Sequence, residues 1–170
     1  MRYALFVPKQ AVGANLVYFD LFNVGVLGYH MQLLSVVPVV SGAVAVIGVV
    51  GVDLFLTRTT AVGTGGTAAT VAGTDLAAAT FASIDTTQRV VLGAISARLT
   101  PTGGATAGSV VSQSCVFTEE TADGAYARKA DLVPNGGMLV QPRTGVRVVQ
   151  GSVASVGNIG FNVIFDLTAL

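Results

Sequence analysis

The chain has 170 residues, of which 52% are hydrophobic and only 11% are charged, with nine basic and nine acidic side chains. This length suits one domain with a full hydrophobic core. A net charge of zero argues against a nucleic-acid-binding role, which depends on basic clusters. So little charge also predicts that much of the surface is buried against other copies of the chain or a partner.

The first residues predict an N-terminal arm followed by a single domain. Residues 1–15 carry Pro8 and Gly13, which predict an irregular arm with at most one short strand, and residues 16–170 form the predicted domain. The opening apolar run is cut by Pro8 and Lys9 and is too short for a secretory signal. We therefore expect a protein that is made in the cytoplasm and not exported.

The apolar stretch from residue 31 to residue 58 allows two interpretations. Residues 36–52 contain no charge, so a membrane span at about residues 36–56 is one alternative. However, Val and Ile dominate, and their branched side chains suit strands. The segment at 38–42 (PVVSG) predicts an interruption between two apolar segments. Asp53 lies where the last turn of a membrane span would be. We favour two buried strands, at 33–37 and 44–56.

The middle of the chain is rich in small residues. Residues 59–80 are dense in Gly, Ala and Thr, with a loop signal at 63–67, and residues 75–84 form the one credible short helix, with Asp75 as its N-cap. Strands are predicted at 90–99 and 109–118. The segment 119–131 (EETADGAYARKAD) is the most polar of the chain and predicts an exposed loop.

The C-terminal third has the clearest pattern. Short strands are predicted at 138–141 and 146–150, joined by a turn with Pro142 and Gly145. In the last strand, at 158–167, apolar residues alternate with polar ones, which places one set on a buried face. With eight or nine short strands and almost no helical periodicity, we predict an all-β fold, an antiparallel β-sandwich or barrel.

Catalytic chemistry has little support in the sequence. His30 is the only histidine, so a catalytic triad would have to combine it with Asp20, Asp53 or Cys115. The sequence around these residues contains no motif that supports such a site. Ser96 lacks the final glycine of a nucleophile elbow. We therefore predict no enzyme, no catalytic residues and no cofactor.

Three weaker features of the sequence concern binding and disulfide chemistry. Gly63, Gly65 and Gly66 resemble a fragment of a phosphate loop but lack its Lys-Ser/Thr, so a surface loop is expected. The polar segment contains four acidic residues whose oxygens could bind Ca²⁺: Glu119, Glu120, Asp123 and Asp131. Their spacing matches no EF-hand loop, so we predict no metal site. The single Cys115 cannot form an intramolecular disulfide and is expected to be a small buried hydrophobe.

Two stretches carry a resemblance to a known group of proteins. They are the Val/Gly/Thr-rich segment 49–67 (VVGVDLFLTRTTAVGTGGT) and the ending 138–167 (MLVQPRTGVRVVQGSVASVGNIGFNVIFDL). In these stretches the chain resembles small β-sandwich structural proteins of tailed-phage virions, such as capsid auxiliary, cement and head-fibre proteins. The resemblance implies a jelly-roll-like fold, symmetric oligomers and no catalytic residues.

The expected function follows from composition and resemblance together. We expect a non-enzymatic virion protein, made in the host cytoplasm, that decorates a capsid as a homo-oligomer and contacts the major capsid protein or other virion proteins. The arm at 1–15 and the loop at 119–131 are the candidate contacts, and neither nucleic acid nor membrane is an expected partner. The alternatives are a module that binds a host receptor or glycan and a membrane-anchored protein.

Overall fold

A computed structural model describes residues 2–25, 28–41, 50–69, 81–83, 94–104, 107–118 and 131–169. These residues form strands and loops and contain no helix. The strands are β1 (Arg2–Ala11), β2 (Val17–Asn23), β3 (Tyr29–Ser41), β4 (Val50–Thr59), β5 (Thr67–Ala68), β6 (Phe81–Ser83), β7 (Ile95–Leu99), β8 (Ala107–Thr118), β9 (Met138–Val140), β10 (Thr144–Gln150) and β11 (Asn158–Ala169).

The strands build two antiparallel sheets. The first sheet has the order β6-β1-β11-β3-β9 and the second the order β5-β7-β2-β10-β4-β8. Four pairs, β1 with β11, β2 with β10, β3 with β9 and β4 with β8, match the first half of the chain to the second half in reverse order. A long hairpin rolled around itself produces this pairing, which is the jelly roll. The predicted jelly-roll-like antiparallel β-sandwich is confirmed.

The core lies between the sheets and is formed by alternate residues of the strands. The predicted alternation in β11 is confirmed, since Ile159, Phe161, Val163 and Phe165 are fully buried. The Phe161 ring packs edge-on against Tyr18, with ring centres 5.0 Å apart, and against Phe19 at 5.8 Å. These contacts join the first sheet to β2 of the second sheet, and burial of such aromatic rings dominates core energetics.

The apolar stretch at 31–58 contributes β3 and β4, while residues 42–49 lie outside the described part. Contrary to the predicted break, β3 continues through Pro38 as far as Ser41. Strand edges tolerate proline where its missing N–H would point outward. Two residues earlier, Val36 directs its N–H to Asp131 and its carbonyl to Leu132, away from β11. Pro38 shares this orientation, so no bond to β11 is lost.

The segment predicted as an arm belongs to the sandwich. Residues 2–11 form β1, which pairs with β11 on one side and β6 on the other. Tyr3, Leu5 and Val7 are buried in the core, because the strand alternates as far as an irregularity between Val7 and Gln10. The apolar alternation of these residues thus outweighs the irregularity that Pro8 introduces.

The chain between β4 and β8 adds the short strands β5, β6 and β7 beyond β1 and β2. The predicted helix at 75–84 is wrong at residues 81–83, which form β6. The rest of that helix lies outside the described residues. After β4, residues 60–66 cross the outer face of the second sheet to reach β5, and Thr64 forms a bridge with Gly103 on the way. We call residues 60–66 the crossing loop.

Candidate functional site

The outer face of the first sheet carries several apolar side chains among polar ones. Because Tyr3, Leu5 and Val7 point inward, Ala4 and Phe6 point outward, and the same alternation applies to β3, β9 and β11. Phe6 is 50% exposed and Leu139 is 46% exposed. We call this surface the first-sheet face; its apolar members are Ala4, Phe6, Val37, Val39, Leu139 and Ile164.

The register brings these residues together in rows across the sheet. Phe6 lies opposite Asn162, which lies opposite Val37, and in the next row Ile164 lies beside Ala4. Leu139 lies apart from these residues, opposite Gln32 in the row of Arg2 and Asp166. Neighbouring strands are about 4.8 Å apart, so Ala4, Phe6, Ile164 and Val37 form an apolar patch that Asn162 interrupts. Such a patch on a folded protein commonly marks a contact with another molecule.

One ion pair lies at the end of the first-sheet face. The Arg2 guanidinium donates two hydrogen bonds to the Asp166 carboxylate, Nε to Oδ1 at 3.0 Å and Nη2 to Oδ2 at 3.1 Å. These two residues lie opposite each other in β1 and β11. The two charges neutralise each other, so neither adds an unbalanced charge that would repel another neutral surface.

The outer face of the second sheet holds a buried carboxylate, Asp20, beneath the crossing loop. Asp20 is 2% exposed, and its Oδ2 accepts a hydrogen bond of 2.6 Å from the Gly63 N–H. Its Oδ1 has no hydrogen-bond partner among the described residues. Burial raises the pKa of Asp20 to about 6, against the lowering effects of the Gly63 N–H and of Arg147 and Arg98 on the neighbouring strands.

Two shallow grooves meet at Arg147 on the same face. One, of about 410 Å³, includes Phe55, Asn15 and Arg147 in its lining, and the other, of about 390 Å³, includes Asn15, Arg147 and Pro101. The Arg147 Nε donates a hydrogen bond of 3.3 Å to the Thr57 hydroxyl. An aromatic ring, an amide and a guanidinium within one groove suit a polar ligand with an apolar face.

The catalytic candidates are not brought together. Asp53 and Cys115 lie opposite each other in β4 and β8, whereas His30 is in β3 of the other sheet. The prediction that Cys115 is buried is wrong: the thiol is exposed, because it lies on the outer side of the last strand of its sheet. Partial burial and the nearby Asp53 raise the pKa of the Cys115 thiol, which lowers its reactivity at neutral pH.

The weaker binding candidates have structural roles where the structure describes them. Gly63, Gly65 and Gly66 lie in the crossing loop, and Gly66 has a φ of +60° that favours glycine. Asp131 anchors the segment after it to β3, since its Oδ1 accepts hydrogen bonds from the N–H groups of Val36 and Val133, each 2.9 Å long. In the described ranges no three His, Cys, Asp or Glu residues are grouped as a metal site requires.

The predicted polar loop at 119–131 lies outside the described residues except for Asp131. Sequence reasoning also missed three features: the half-exposed Phe6 and Leu139, and the burial of Asp20. A period-two pattern indicates which residues share a face but not which face is covered. Asp20 sits in an apolar strand (VYFDLFN), and this was the signal that could have indicated a buried carboxylate.

Comparisons of the chain with protein-family models, with curated proteins and with solved structures find no match. Across the described ranges, no helix is both long and apolar enough to cross a membrane.

Proposed function

We propose that this chain is a non-enzymatic structural protein of a virus particle, an auxiliary subunit that decorates the phage head through contacts between subunits. The first-sheet face is the observation that carries the proposal. It presents Phe6 and Leu139 about half exposed, and the Arg2 and Asp166 charges on the same face pair with each other. Jelly rolls serve as capsid subunits, although the fold by itself does not define a function.

The physical reason for this role is that a shell needs many weak, repeated contacts. An apolar face gains about 25 cal/mol for each Å² of apolar surface removed from water, less the cost of ordering the two partners. Neighbouring contacts on a lattice then raise the overall avidity without any single strong interface. Homo-oligomers and the major capsid protein are the partners this mode of binding favours.

The test of the proposed function is the composition of virus particles from the source. Particles banded by density and treated with nuclease are analysed by mass spectrometry, and the copy number is compared with that of the main shell protein. We expect many copies of this chain in each particle. Its absence from purified particles would discard the virion role.

The role of the first-sheet face is tested by substitution. Phe6→Lys should weaken attachment to particles, because losing the burial of a half-exposed Phe costs about 2 kcal/mol, or roughly 30-fold in affinity. Val153→Lys is the matched control, since Val153 is 68% exposed and lines the groove on the second sheet. Equal particle occupancy for both variants would show that attachment does not use the first-sheet face.

The grooves at Arg147 favour a second candidate function, the binding of a host receptor glycan. Phe55 offers a ring on which a sugar could stack, and Asn15 and Arg147 offer polar groups. Titration of the purified chain on a glycan array tests this candidate. Binding that Phe55→Ala removes would support it, and an array without signal would leave only the structural role.

A further inference from the structure

The edge of the second sheet at β8 differs from the other sheet edges. β8 has 12 residues, and among the described strands it pairs only with β4. Within the part of the chain that the structure describes, the other sheet edges are β5, β6 and β9, with two or three residues each. A long edge strand presents a row of backbone N–H and C=O groups that another strand can bind.

The sequence of β8 lacks the features that normally protect such an edge. Residues 107–118 (AGSVVSQSCVFT) include no proline and no charged residue. Proteins commonly place lysine or proline at an exposed edge to prevent strand addition. The register with β4 shifts only in the first half of β8, and from Ser112 to Thr118 the pairing is regular. This regular run of seven residues is a suitable template for a further strand.

Hydrogen bonds within a single subunit also hold the β8 edge in place. The Ser112 hydroxyl, on the inner side of β8, donates a hydrogen bond to the carbonyl of Leu132. Leu132 is buried and its N–H donates to the carbonyl of Val36 in the other sheet. Because β8 is fixed to both sheets, little conformational entropy remains to be lost on pairing.

We propose that β8 pairs with β8 of a second copy, antiparallel and about a two-fold axis, so that two second sheets become one continuous sheet. A second copy is the partner that fits, because an uncharged edge is complementary to itself and antiparallel strands satisfy the symmetry of a closed dimer. The inference rests on the proposed function, since it takes assembly as the use of this edge, and it names one contact between subunits in that assembly.

The two-fold arrangement predicts which residues meet. If the regular run Ser112–Thr118 pairs with itself, its midpoint, Cys115, lies opposite Cys115 of the partner. A charge placed there meets a like charge in the homodimer and an opposite charge in a mixed dimer, and like charges directly across a strand pair are destabilising. Cys115 is exposed, so substitutions there leave the core intact.

The experiment measures the mass of the full chain by analytical ultracentrifugation over a range of about 1–100 µM. We expect a dimer for the wild type and for the control Cys115→Ser. Cys115→Glu, which also lies opposite the carboxylate of Asp53 in β4, should dimerise at least about tenfold more weakly, and its equimolar mixture with Cys115→Lys should recover the dimer. Circular dichroism verifies that the variants are folded.

Several results would overturn the inference. A wild type that stays monomeric over this range excludes the edge dimer, and a Cys115→Glu variant that dimerises like Cys115→Ser assigns the dimer to another surface. If the charged variants do not fold, hydrogen exchange of the wild type decides: amides of 112–118 must become more protected as concentration rises, and constant protection refutes the pairing. Particle composition tests the proposed function separately, so either idea can fail alone.

Discussion

The buried carboxylate of Asp20 should make the stability of this protein fall as the pH rises. The folded-state pKa of about 6 lies above the ordinary value of 3.8. Between these values the unfolded chain releases its proton while the folded chain retains it, so the folded state is favoured at the acidic end. The stabilisation is complete below pH 3.8 and is lost as the pH rises through about 6.

The size of the effect follows from the two pKa values. Each unit of pKa difference corresponds to about 1.4 kcal/mol, so the full effect is about 3 kcal/mol. Between about pH 4 and about pH 7.5 the expected loss is about 2.5 kcal/mol, because the unfolded carboxyl is already partly ionised at the lower pH. A loss of this size is a large fraction of the stability of a typical domain.

The assay compares urea unfolding of the wild type and of Asp20→Asn at both pH values. The neutral amide keeps a carbonyl oxygen that can accept the Gly63 N–H but has no proton to release in this range. The other titrating groups are common to both proteins, so the difference between their pH dependences isolates Asp20. We expect the wild type to lose about 2.5 kcal/mol more than the variant. Parallel pH profiles would refute the reasoning, because Asp20 would then have the same pKa in the folded and unfolded states.

Three further substitutions test contacts that hold the sandwich together, each by urea unfolding. Gly63→Ala should cost about 1–3 kcal/mol, since a Cβ there would lie 2.5 Å from a carboxylate oxygen beneath the crossing loop; Gly13→Ala, whose Cβ has room, should change little. Gln150→Leu should cost about 1–3 kcal/mol, because the buried Tyr18 hydroxyl donates to Gln150 Oε1 at 2.8 Å and would be left unpaired. Asp131→Ala should cost a similar amount by removing the acceptor of two backbone N–H groups. If Gly63→Ala is as stable as Gly13→Ala, the close approach of Gly63 to Asp20 is contradicted. If Gln150→Leu or Asp131→Ala unfolds at the same urea concentration as the wild type, the hydrogen bonds of that residue do not stabilise the fold.

The crossing loop connects this pH dependence to the surface of the second sheet. Asp20 binds the loop through Gly63, and Arg147, on the neighbouring strand, lines both grooves. Ionisation of Asp20 therefore places a negative charge beside the guanidinium in the grooves. If the grooves bind a ligand, an anionic ligand should bind less tightly above pH 6 than below it, which titration at the two pH values would detect.

The sequence by itself determined the class of the fold and much of its core. Alternation in 158–167 (NIGFNVIFDL) identified the buried face of β11, and β-branched residues identified β3 and β4 as strands, because side-chain direction follows from local backbone geometry alone. The same local signals misjudged residues 2–11, where Pro8 suggested an irregular arm. A single proline at a register irregularity does not outweigh three buried side chains in the same strand.

Only the tertiary structure decided which surfaces are covered and which strands stand at the edges. Cys115 precedes the apolar Val116 and Phe117 and has the residue type of a core position, yet it is exposed because it lies on the outer side of β8, the last strand of its sheet. Asp20 is buried because the crossing loop, more than 40 residues away in sequence, folds over it. Such coverage depends on contacts between distant segments, which a period-two pattern does not encode. The same holds for the exposed Phe6 and for the open edge of β8.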